Sequence, residues 1–110
     1  MIKPVSRKHF ALLEEISKAK DQETIQALCE IDISIAGSFK EEWSEQFPND
    51  LRLPRYPSFQ KLAIIYEKSG NYAAAIAICK KAIALGFDLD GTKSGMQGRL
   101  KRLEKKLTNE

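Results

Sequence analysis

The chain has 110 residues, 43% of them hydrophobic and 30% charged, and a net charge of +3. A separate core usually needs about 100 residues of its own, so a single domain spanning 1–110 is expected, and the apolar fraction excludes global disorder. No window approaches the roughly 20 apolar residues of a membrane span, and the start, Met1 to His9, lacks the apolar stretch of a secretory signal, so a soluble, cytoplasmic protein is expected.

Charge is unevenly spread. Residues 1–20 carry a net +3, 21–50 a net −7, 51–92 a net +3 and 93–110 a net +4. Such a dipolar surface steers a charged partner, but its mean field does not by itself argue for nucleic acid. Cys29 and Cys79 sit among Ala, Ile and Leu, the setting of small buried thiols, and two cysteines make no disulfide framework.

Taken in order, Phe10, Leu13 and Ile16, widened by Leu12, predict an amphipathic helix over about 6–20. Asp21 suits a cap, and Ile25, Leu28, Cys29, Ile33 and Ala36 keep the helical period from Glu23 to Ala36, with Gly37 as the stop. The β-branched run Ile31 to Ile35 is compatible with a strand, but no second period-two segment exists to pair with it. Ser38 then suits the cap of a short helix that places Phe39, Trp43 and Phe47 on one face and covers the rest with Glu41, Glu42 and Glu45. Residues 48–57 hold three prolines with Arg52, Arg55 and Tyr56 among them and read as an extended connection that divides the chain in two.

Beyond it, Ser58 suits the cap of a helix to about Ser69, Gly70-Asn71 makes a turn, and a second helix runs from Tyr72 to Leu85 with Gly86 closing a pair over 58–86. In that second helix only Lys80 and Lys81 look fully wet, which demands a neighbouring helix on each flank. The terminal segment 94–108 supplies one, because Met96, Leu100, Leu103 and Leu107 form a narrow apolar stripe. The expected fold is therefore all-α: a small bundle of about five helices.

Residues 56–89 resemble a tetratricopeptide repeat, a helix-turn-helix unit of roughly 34 residues. The resemblance is carried by Phe59 at the usual Trp site, Leu62, Ala63 for the usual Gly, Tyr66, Gly70, Tyr72, Ala75 and Ala82. Cys79 and Phe87 depart from the pattern, where an aromatic and a proline are common. Residues 8–37 fit the same template through Leu12, Ile16, Ile25 and Cys29 but lack its Gly turn and small residues. The stretch Gly91 to Gly95 with the basic helix after it resembles the ending of such repeats in small bacterial and phage-type proteins. A single repeat leaves faces uncovered, so flanking helices, including a C-terminal capping helix, are expected to complete its core.

The resemblance implies a non-catalytic adaptor that binds a protein or peptide along its first helix, through Gln60, Lys61, Ile64, Glu67 and Lys68. Arg52, Arg55 and Tyr56 join them as anchors, since Arg and Tyr are favoured where few contacts dominate binding. The rival expectation is a nucleic-acid accessory protein that uses Lys93, Arg99, Lys101, Arg102, Lys105 and Lys106 against phosphates. Asp88-Leu89-Asp90-Gly91-Thr92 resembles a phosphatase nucleophile loop, but it follows a helix rather than a strand and reads as a polar turn with Thr92 or Ser94 as a cap. His9, beside Arg7 and Lys8, reads as exposed. No zinc set, calcium loop or phosphate-binding glycine loop is assembled, so neither enzyme activity nor a cofactor is expected.

Overall fold

A computed structural model describes residues 3–50 and 52–109 and shows an all-α protein, with six helices and no strand among those residues. Expectations that touch Met1, Ile2, Leu51 or Glu110 lie outside the described residues at those positions. The chain forms two compact units, Met1–Leu53 and Pro54–Glu110, divided within the proline-rich stretch. Their formal charges differ in sign, with seven basic and ten acidic side chains in the first and eleven basic and five acidic in the second.

In the first unit, α1 (Pro4–Lys18) packs on both α2 (Gln22–Ser34) and α3 (Ala36–Gln46). Pro4 at the first helical position loses no needed amide, but Lys3 offers no side-chain cap. The carboxylate of Glu42 on α3 supplies it, accepting from the amides of Val5 (3.1 Å) and Ser6 (3.0 Å) and from the Ser6 hydroxyl (3.2 Å). Glu42 is thus part of the architecture rather than of the solvated cover expected for it. Partial loss of water works to raise its pKa, but the Ser6 and Val5 amides, the Ser6 hydroxyl and the Lys3 charge hold it below its ordinary 4.5.

The stripe that α1 buries is Ser6, His9, Leu12 and Ile16, and Phe10 remains 46% exposed. His9 corrects the reading from its basic neighbours: it is 1% exposed, and its Nδ1 lies 2.7 Å from Oδ1 of Asp32, which is wholly buried. Phe39 of α3 lies against the same imidazole at 4.7 Å and continues a row of rings through Trp43 to Phe47. Asp21 caps α2 through the Thr24 amide, as expected.

The boundary between α2 and α3 also differs from expectation. The chain breaks at Ile35 and α3 begins at Ala36, so Gly37 is neither a stop nor left-handed, and Ser38 lies inside the helix rather than capping it. Ala36 and Phe39 are both fully buried, and that packing requires the bend to come before them.

In the second unit, α5 (Tyr72–Leu85) packs on α4 (Pro57–Lys68) on one flank and α6 (Gly95–Thr108) on the other, the two neighbours its apolar sequence demanded. Ala63 and Ala75 are fully buried, as are Cys79 and Ala82. Ala77, however, is exposed along with Lys80 and Lys81, so the wet side of α5 is wider than the lysines alone suggest. The helix α4 starts on Pro57, which leaves Ser58 inside it and buried rather than capping it.

Gly70, at φ 80°, ends α4, with its amide bonded to the Glu67 carbonyl (3.0 Å) and the Asn71 amide to that of Tyr66 (2.8 Å). Asn71 then caps α5 through the Ala74 amide. Gly86 ends α5 in the same left-handed manner, which turns Phe87 inward against Tyr56 (4.9 Å) and Phe59 (5.9 Å).

Candidate partner-binding surface

The surface of the second unit depends on how α6 is aimed, and the loop 88–95 sets that aim. Asp90 is 2% exposed, and its carboxylate accepts from the Thr92 amide (2.9 Å), the Thr92 hydroxyl and Nε of Arg99 (3.0 Å). Burial works to raise the Asp90 pKa, but Thr92, through hydroxyl and amide, and then Arg99 hold it below its ordinary 3.8. Thr92 Oγ1 accepts from the Gly95 amide (3.2 Å), and Asp88 receives the next two free amides of α6, Met96 on its carbonyl (2.8 Å) and Gln97 on its carboxylate (3.3 Å). Gly95 has φ 66°, and a Cβ there would stand 2.8 Å from the Asp88 carbonyl oxygen, so glycine is required.

This turn draws Arg99 into the interior, leaving it 8% exposed and ion-paired, and thereby removes it from the expected row of phosphate contacts. Met96, Arg99 and Leu103 mark the buried side of α6. Lys101 and Lys105 fall on the opposite side at helical spacing, Arg102 lies on the flank between them and Arg99, and all three are exposed, as is Lys93 in the loop. Arg102 is held by a bond from Nη1 to the Ser94 hydroxyl (3.2 Å), for which Gly98 leaves room. Lys106 pairs with Glu67 of α4, whose hydrogen bond and charge raise the Lys106 pKa above its ordinary 10.5.

The Lys106–Glu67 ion pair brings the two groups of expected contact residues together. Gln60, Ile64 and Glu67 lie on one side of α4 and are half-buried, while Lys61 and Lys68 are exposed. The extra anchors do not join them as expected. Tyr56 is 2% exposed and packs its ring on Phe59 and Phe87, because an aromatic next to Pro57 is drawn into the core rather than presented to a partner. Arg55 lies over Gly91 and reaches the Asp90 carbonyl at 3.5 Å, and Arg52 belongs to the other unit. Leu107, expected in the buried stripe, keeps its side of the helix but is 42% exposed, next to the last residue of α6. Its position one turn beyond Leu103, near the end of the helix, was the available signal.

Elsewhere, an open hollow of about 460 Å³ is lined by Gln46 to Asp50, one continuous stretch that gathers no groups from different elements. Burial pushes the Cys79 thiol up to about 11, which removes it as a nucleophile at neutral pH. Among the described residues no cluster of three His, Cys, Asp or Glu side chains could hold a metal ion, and no helix is long and apolar enough to cross a membrane. Compared with protein-family models, curated proteins and solved structures, the chain matches none.

Proposed function

We propose that this chain is a non-catalytic, cytoplasmic protein-interaction module of tetratricopeptide-like build, which binds a protein or peptide across the joint face of α4 and α6. The observation that carries this reading is the Lys106–Glu67 pair, because it ties α4 at Glu67 to the edge of α6 on which Arg102 lies one turn before Lys106. Buried small residues at Ala63 and Ala75 let α4 and α5 approach closely, as such repeats require, and α6 covers the flank of α5 that a lone pair leaves bare. The polar groups best suited to chemistry, Asp90 and Arg99, are occupied in holding α6.

Nucleic-acid binding through α6 is the second reading, favoured by the exposed row Lys101, Arg102 and Lys105. Photo-crosslinkers placed singly at Lys61, Lys68 and Lys105, with Lys20 of the first unit as control, separate the two in a native lysate. Protein binding gives a common protein adduct from the first three positions, absent from Lys20 and unchanged by nuclease. Adducts that vanish with nuclease, or none at all, overturn the reading.

A further inference from the structure

Resting on the reading of α4 as a protein-binding helix, we infer that its outer side also takes a second copy of this chain, which docks the outer side of its α2 there. The helix α4 packs on α5, and the side turned away from that contact carries Lys61, Ile64, Ile65 and Lys68, the lysines exposed and the isoleucines half-buried. Unlike Lys106, neither lysine belongs to an ion pair among the described residues.

The matching surface lies on α2. This helix packs on α1 and α3, while Glu23, Ala27, Glu30, Ile31 and Ser34 recur at the spacing of one helical side and are all exposed, Ile31 to 45%. No lysine or arginine lies on α2, and Gln26 holds the Glu30 carboxylate through a bond of 3.1 Å. Glu23 and Glu30 are seven residues apart, as are Lys61 and Lys68, so both pairs span about 10.5 Å along their helices. Laid side by side, the two helices set each carboxylate against an ammonium, and Ala27 and Ile31 against Ile64 and Ile65.

Charge selects this pairing over the others. Two α2 surfaces repel each other, as do two α4 surfaces. The outer side of α6 is basic as well, but Gln97, Lys101 and Lys105 offer Ile31 no apolar side chain, and the exposed Glu104 lies on their flank. The contact is head-to-tail, so it either closes between two copies or continues from copy to copy, and in both cases mass rises with concentration.

Static light scattering of the full chain from about 10 μM to about 1 mM tests this, a range suited to the weak association of two single helix sides. The mass is expected to rise above that of one copy, and the affinity to fall at least about tenfold between about 0.05 M and about 0.5 M salt. Glu23→Lys/Glu30→Lys and Lys61→Glu/Lys68→Glu should each lower it at least about tenfold, because attraction becomes repulsion. An equimolar mixture of those two variants makes every pair between them opposite in sign again, and should recover affinity to within about threefold of the parent. Ile31→Ser should lower it about fivefold through the apolar burial it gives up. All five changed positions are exposed, and circular dichroism checks that each variant is folded.

A parent that keeps the mass of one copy at the highest concentration, folded charge variants that associate like the parent, or a mixture that stays monomeric would each overturn the inference. If the chain stays monomeric while crosslinkers at Lys61, Lys68 and Lys105 capture a different protein, self-association is wrong and the protein-binding reading stands. If capture fails as well, both fall.

Discussion

In the first unit a carboxylate caps helix amides that lie 37 and 36 positions earlier in sequence, and a histidine meets an aspartate 23 positions away inside the core. In the second unit the decisive contacts are short-range: glycines that reverse the chain at 70 and 86, an asparagine that caps three residues on, and an aspartate that reaches nine residues to an arginine. The first unit is assembled by polar groups that find each other only once its helices are packed. The second is laid out largely by turns and caps that join near neighbours in sequence. The two halves of one short chain therefore owe their order to different classes of interaction, and each is vulnerable to a different substitution.

The severest break is expected in the second unit. Ala75 is fully buried where α4 and α5 approach, and Ala75→Glu forces a charge into that contact, costing more than about 4 kcal/mol and leaving the unit largely unfolded. Ala77→Glu, two residues along on the exposed side, is expected to change stability by no more than about 0.5 kcal/mol. Urea titrations followed by circular dichroism check both, and equal effects at the two positions would mean that the face of α5 is wrongly assigned.

The corresponding break in the first unit is Asp32→Ala, which leaves the His9 imidazole buried without this partner and should cost about 3 kcal/mol. Replacing both residues with apolar side chains of similar size, as in His9→Phe/Asp32→Leu, should recover much of that loss, since a buried pair is often no more stabilising than a well-packed apolar one. A double variant no better than the single would show that the two act through further bonds rather than through each other. Hydrogen exchange resolved by segment reports whether the loss falls on α1 and α2.

These contrasts explain how far the sequence was readable. Gly70, Asn71, Gly86 and the small residues Ala63 and Ala75 act locally, so the α4–α5 pair and the need for α6 beside it could be read from spacing alone. His9 and Asp32 carry no such signal, because a polar residue on a buried stripe breaks the apolar period and looks like surface until its partner is in place. Gly37 misled for a related reason: glycine marks a stop only where the chain needs a left-handed residue, and here the packing of Ala36 and Phe39 moves the bend ahead of it. At the candidate surface, the composition of α4 and α6 was legible, whereas the inward turn of Arg99 and the burial of Tyr56 depended on Asp90, Phe59 and Phe87 being where the fold puts them.

A smaller effect tests the loop that aims α6. Asp90→Asn keeps the size of the side chain and its bonds to Thr92 but removes the charge facing Arg99, so about 2 kcal/mol of stability should be lost. If the loop acts as argued, the same change loosens the start of α6, and amide exchange at Met96 and Gln97 should accelerate more than exchange in α4. Uniform acceleration across the second unit would indicate a general weakening instead.

The smallest effect is expected in the first unit and depends on pH. Glu42 binds the free amides of α1 best as a carboxylate, so its pKa in the folded chain lies below the ordinary 4.5. Proton linkage then fixes the sign: the unfolded chain takes up the proton first as pH falls, so the contribution of Glu42 is fully present above about 4.5 and is lost as pH drops through the lower folded value. Glu42→Gln keeps an oxygen for the Val5 and Ser6 amides but cannot titrate. Its thermal midpoint should therefore sit modestly below the parent's at neutral pH, where the charged bond and the favourable position at a helix start are missing, and the gap should close as pH falls. Melting curves collected through the acid range decide it, since a gap that stays constant would mean that the carboxylate charge plays no part in capping α1.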